Sequence, residues 1–191
     1  MKRVSFRCLK KRGQRWFSFL SEISSLRMPS LVSYLYTMAS FSKIILFTDG
    51  ACKGNPGPGG LGIVLIAGPH RKEYAEGFLK TTNNRMELLA VIRGLELLKT
   101  NAVPIEIYSD SKYVVDAINK GWIHKWYRTG FVGKKNKDLW LRYINLAKDF
   151  SLSFHWVKGH ANHPENNRCD ELAVAASKQP HLKPDAGFKQ E

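Results

Sequence analysis

Between residues 41 and 180 the spacing of apolar positions changes several times, and each change marks an element. Residues 43–48, 61–67 and 73–79 are short runs of mostly branched and aromatic residues bounded by turn formers, which reads as three strands in an antiparallel meander. From residue 83 the period lengthens. Met86, Leu89, Ala90, Leu97 and Leu98 recur at helical spacing, and Asn84 with Glu87 three residues on has the form of a helix start. "IEIYSD" (105–110) reads as a fourth strand, 111–120 and 136–150 as helices, "LSFHWV" (152–157) as a fifth strand and 166–178 as a closing helix. This order predicts an α/β protein, a mixed sheet with helices packed on its faces. Residues 41–180 form the domain, residues 1–40 a basic N-terminal extension and residues 181–191 a frayed C-terminal tail.

Composition narrows the partners. The 191 residues carry a formal charge of +14, which favours a polyanion because neutralised phosphates release their counterions. Residues 1–40 hold eight Lys or Arg against one acid, Glu22, a formal +7, so the body is basic in its own right. That segment suits an organelle-targeting peptide, a basic nucleic-acid arm, or a stretch ahead of a start at Met38. Cys8, Cys52 and Cys169 are scattered and odd in number, which supports neither a disulfide framework nor a Cys-rich zinc site and fits a reducing compartment, the cytoplasm. No run is long and apolar enough for a membrane helix, and a monomer is the default.

The stretch "FTDGACKGNPGPGG" (47–60) reads as a strand ending on Asp49 and opening into a Gly- and Pro-rich loop. The stretch argues against a phosphate-binding P-loop, since the motif needs Lys-Ser or Lys-Thr and a helix directly beyond, whereas "LGIVLIAG" reads as a strand. Three further acids stand at element ends: Glu87 and Asp170 at helix starts and Asp110 at the end of a strand. Each has a local explanation as a capping, first-turn or turn residue. Together they fall along one sheet edge, where the sites of open α/β folds collect. At about 4 Å and an effective dielectric near 20, each like-charged pair costs on the order of 4 kcal/mol. Lys53 and Arg85 are candidates to offset part of that cost. An all-oxygen, strongly negative set is what Mg²⁺ or Mn²⁺ accepts, and two such ions support in-line phosphoryl displacement.

Four segments, "FTDGACKGNPGPGG", "TTNNRMELLAV", "YSDSKYV" and "WVKGHANHPENNRCDELA", together resemble the type 1 ribonuclease H family in its bacterial-like form, over about residues 41–178. The resemblance implies a metal-dependent endonuclease that cuts the RNA strand of RNA/DNA hybrids, leaving 5′-phosphate and 3′-hydroxyl ends. It also implies a five-stranded sheet, the first three strands antiparallel and the last two parallel to the first. By the same resemblance Asp49, Glu87, Asp110 and Asp170 hold two metal ions, and His160 in "KGHAN" assists proton transfer or product release. His163, three residues on, is poorly separated from it by sequence. Cys52, Asn55, Asn83 and Asn84 match positions that contact the hybrid's minor groove, where 2′-hydroxyls distinguish RNA from DNA.

Residues 120–137 interleave Lys125, Arg128, Lys134 and Lys135 with Trp122 and Trp126. Cations among aromatics suit a phosphate backbone with exposed sugar faces, while the plainer reading packs the tryptophans on a small helix. The stretch matches the family's basic protrusion, about five residues shorter than its fuller versions. Lys112 replaces an uncharged amide of some relatives and favours phosphate contact. Two alternatives stay open: a strand-transfer enzyme of the same superfamily, and a non-catalytic hybrid-binding module.

Overall fold

The computed structural model describes residues 41–159 and 163–189. The readings of residues 1–40 and of His160 lie outside them. Five strands, β1 (Ile44–Cys52), β2 (Gly57–Ala67), β3 (His70–Thr81), β4 (Ile105–Ser109) and β5 (Leu152–Trp156), form one sheet in the order β3-β2-β1-β4-β5. β1, β2 and β3 pair antiparallel, and β4 and β5 continue the sheet parallel to β1. The described helices are α1 (Asn83–Glu96), α2 (Lys112–Asn119), α3 (Trp122–Arg128), α4 (Lys137–Ala147) and α5 (Pro164–Ser177).

Strand alternation divides the sheet into two faces. Ile44 and Leu46 of β1, with Ile105 and Ile107 of β4, point into a core completed by Leu88, Ile92 and Leu95 of α1 and by Trp140 of α4. The other face is covered by α5 over β1, β2 and β3. The close approach of α5 depends on glycine, because a Cβ at Gly60 or Gly62 would collide with the carbonyls of Ala173 or Cys169. Glycines expected to form a loop, Gly57, Gly59 and Gly60, are strand. β2 begins at Gly57, and β1 runs past Asp49 to Cys52, leaving a connection of only four residues.

Three local expectations are corrected. The N-cap of α1 is Thr82 and not Asn84, so Glu87 lies one turn inside the helix and no capping box forms. α5 starts at Pro164, whose fixed φ suits the first helical position, which puts Asp170 in the second turn instead of the first.

The third concerns the segment after α5, which is docked. Lys183 accepts from the Leu79 N–H at 2.8 Å and donates its own N–H to the Gly77 carbonyl at 3.1 Å, extending the β3 edge. The Asp185 side chain, 5% exposed, receives Arg85 Nε at 2.7 Å, Arg85 Nη2 at 2.9 Å and the Thr81 hydroxyl at 2.8 Å. Arg85, 3% exposed, also donates twice to Asp138 at the start of α4. A buried guanidinium needs such partners, and this one recruits the C-terminal segment to supply them.

Candidate metal centre and nucleic-acid groove

The acids meet where two glycines let helices touch the sheet. Gly50 follows Asp49 in β1, and a Cβ there would strike the backbone of Met86 and Glu87, so its absence seats the first turns of α1 against the strand. Gly62 pairs with Asp49 across the β1–β2 ladder, and α5, which carries Asp170, passes over it. Asp110 follows the last residue of β4, the strand parallel to β1.

Asp49, Glu87 and Asp110 each offer a carboxylate oxygen, all within 4.8 Å of one another. The expected set of four is thus a tight group of three. Asp170 stands outside it, yet near enough that its charge raises the proton affinity of Asp49. Arg85, weighed as a neutralising cation, is engaged by Asp138 and Asp185 instead.

Asp49 and Glu87 are each only 6% exposed. Burial, then the charge of Asp110, pushes the Asp49 carboxyl up to about 8, against the bond its Oδ1 accepts from the Gly50 N–H at 2.7 Å. Burial first, then Asp49 and Asp110, raises Glu87 well above the usual carboxylate range. Glu87 Oε1 accepts from Asn83 Nδ2 at 3.3 Å, while the buried Oε2 has no hydrogen-bond partner. Carboxylates that repel one another around an orphaned buried oxygen fit a hard divalent cation.

The remaining candidates divide. Asn55 and Asn84, with Lys134 and Lys135, line one groove of about 760 Å³ that also takes in Phe188 and Lys189 of the docked C-terminal segment. Asn55 Oδ1 accepts the Asn83 N–H at 3.2 Å, tying the β1–β2 connection to the start of α1. Cys52 is half-buried, its thiol directed to the carbonyls of Gly57 and Thr81. Trp126 does what the plainer reading expected, packing edge-on against buried Trp140 with ring centres 5.7 Å apart. Lys134 Nζ also lies over the Trp126 ring, 5.3 Å from its centre. Trp122 is 44% exposed on α3, with Lys120 over its ring, and Lys125 and Arg128 are exposed on the same helix. These three do not line the groove.

Near the acids, Lys112 Nζ sits 4.9 Å from the centre of the Trp156 ring. Gly159 adjoins Asp110, where a Cβ would meet the carboxylate. His163 is exposed at the N-cap of α5. Sequence reasoning passed over Trp156 and Asp185. An isolated tryptophan closing a strand and an acid in a Pro-flanked tail give no periodic signal, and their partners are far away in the chain.

Comparison with known proteins adds to this geometry. A profile of the RNase H family matches residues 42–178. Ribonuclease H of Desulforamulus reducens is 55% identical over 148 residues, spanning 75% of this chain and 92% of that protein. Ribonuclease H of Syntrophus aciditrophicus is 50% identical over 151 residues, 76% of this chain and 87% of its own. Among solved structures, LC11-RNase H1 in complex with RNA/DNA hybrid superposes with a TM-score of 0.54 at 26% identity, covering 70% of this chain and 95% of that one.

Proposed function

Since the chain belongs to the ribonuclease H family, we infer that it is an endonuclease hydrolysing the RNA strand of RNA/DNA hybrids. The observation that carries this reading is the convergence of Asp49, Glu87 and Asp110 within 4.8 Å, two of them buried. A binding module has no reason to keep like charges so close. The likeness to LC11-RNase H1 with its hybrid supports the substrate.

Asp49, Glu87 and Asp110, joined by Asp170, would hold Mg²⁺, with Mn²⁺ as the alternative and two ions the expected number. Bound there, the metal supplies Lewis-acid stabilisation of charge on the phosphate oxygens and activates water. The chain's own residues do the rest. Asn83 orients Glu87 through Oε1. The groove of Asn55, Asn84, Lys134 and Lys135 receives the hybrid, its amides suited to 2′-hydroxyls and its ammonium groups to phosphates. Lys125, Arg128 and Trp122 extend the contact along α3, Cys52 borders it, and His160 assists proton transfer or product release. Free Cys52 and Cys169 suit a reducing cytoplasm, where the protein acts as a monomer. Among the described residues, no helix is long and apolar enough to cross a membrane.

The test is to incubate the protein with an end-labelled hybrid, double-stranded RNA and double-stranded DNA, with Mg²⁺ or with a chelator. The expected result is internal cutting of the RNA strand of the hybrid alone, only with metal, leaving 5′-phosphate and 3′-hydroxyl ends. Binding of the hybrid with no cleavage under any metal would leave the non-catalytic module standing.

A further inference from the structure

Trp156, the last residue of β5, remains 46% exposed, an uncommon setting for so large an apolar surface. Two contacts hold its ring. The indole N–H donates to the Asp110 carbonyl at 2.9 Å, and the ring face carries the Lys112 ammonium. Its backbone is equally placed, since Trp156 pairs with Ser109 across the β4–β5 ladder and the next N–H, of Val157, reaches the Ser109 carbonyl at 3.1 Å. The side chain therefore spans the turn from β4 into α2 and touches both ends of it. Ser111, the N-cap between those ends, makes no side-chain capping bond.

Lys112 stands two residues after Asp110, one of the three grouped acids. A long, compactly charged side chain there is drawn to carboxylate oxygens, and in binding them it would occupy the sites a metal needs. Among the described residues Lys112 forms no ion pair, and its ammonium rests on the indole instead. An aromatic face attracts a cation without neutralising it.

We propose that Trp156 is a positioning residue with two separable duties: its N–H sets the orientation of Asp110, and its ring holds Lys112 off the acids and available to a phosphate of the bound hybrid. The proposal rests on the acids being a metal site. It requires no contact between Trp156 and substrate.

The test uses the full chain and reads binding, not turnover: Mn²⁺ titrated by calorimetry, and hybrid affinity in chelator by fluorescence anisotropy. Trp156→Phe keeps a ring but loses the donor. It should weaken Mn²⁺ roughly three- to tenfold, the worth of one hydrogen bond, with hybrid affinity unchanged. Trp156→Leu also loses the face. It should weaken Mn²⁺ further and lower hybrid affinity as Lys112 turns to the acids. Adding Lys112→Met to Trp156→Leu should bring Mn²⁺ affinity back to the Trp156→Phe level. With the ring half exposed, all three variants should stay folded without metal and melt within a few degrees of wild type, a small loss that the missing hydrogen bond accounts for. Wild-type Mn²⁺ affinity in Trp156→Leu would overturn the proposal, as would a double variant no better than Trp156→Leu. A wild-type chain that binds no Mn²⁺ would overturn the metal-site reading itself, and the proposal with it.

Discussion

Asp49 and Glu87 are buried beside Asp110, so the folded chain concentrates charge that the unfolded chain disperses. Replacing either by its amide removes repulsion and keeps the shape. Glu87→Gln and Asp49→Asn are therefore expected to lose at least about a thousandfold in hybrid cleavage. In metal-free buffer they should melt a few degrees higher than wild type, a gain of about 1–2 kcal/mol. Scanning calorimetry beside a cleavage assay checks both, and a lowered melting temperature would return Glu87 to a structural role.

The pH dependence follows in sign. The Asp49 carboxyl titrates near 8 when folded, against an ordinary 3.8, so between those values the native state binds the extra proton. Metal-free stability must then fall as pH rises from about 4 to about 8. Glu73 works the other way. Hydrogen bonds from Arg168 and then Arg71 pull it down to about 2, so its contribution is present above the ordinary carboxylate value and is lost as pH falls toward 2. At Asp185, burial alone would raise the carboxyl, but the Arg85 bonds outweigh it and hold it below the usual range, adding to the acid-side loss. Denaturant melts without metal should show an optimum in mild acid, and Asp49→Asn should flatten its alkaline limb.

At the scale of elements, α5 and the C-terminal segment decide the geometry. Gly62→Ala would press a methyl group into the Cys169 carbonyl, backbone against strand, with no flexible atom to yield. It should cost about 2–3 kcal/mol and weaken metal binding by lifting Asp170 away. Asp185→Ala strips Arg85 of its buried partner and leaves only Asp138, whose side chain is 42% exposed. A loss of about 3 kcal/mol is expected in chemical denaturation, with the C-terminal segment becoming protease-sensitive. If the segment were frayed in solution, that substitution would leave stability unchanged.

These elements also mark how far the sequence could be read. Helix α1 was legible because Met86, Leu89 and Ala90 repeat at its own period, a local property. The acids were legible as residues, but their spacing was not, and Asp170 proved to stand apart from the other three. The run from Gly57 to Gly60 was read as loop because glycine signals turns. It is strand, and contacts distant in the chain keep its glycines bare: Gly59 must clear the Thr81 and Met86 side chains, and Gly60 the Ala173 carbonyl of α5. Asp185 looked like tail for the same reason, since its partner Arg85 is 100 residues away in the chain.

For the whole molecule the dominant quantity is charge. With +14 overall and Lys134 and Lys135 beside Asn55 and Asn84, hybrid binding without metal should weaken linearly on a log–log plot against salt. Changing both lysines to Ala should reduce that slope by about 1–2, roughly one counterion per lost phosphate contact. KM should rise while kcat stays near wild type, because these groups hold substrate before and during reaction alike. A fall in kcat alone would move them out of the groove's binding role.

The most direct measurement is a calorimetric titration of Mg²⁺ or Mn²⁺ into the metal-free protein at neutral pH in two buffers of different ionisation enthalpy. The Asp49 carboxyl, pushed up to about 8, carries a proton that a cation must displace, so the account predicts saturable binding with proton release, visible as buffer-dependent heat and abolished by Asp49→Asn. Metal binding that releases no protons, or that survives intact in Asp49→Asn, would contradict it.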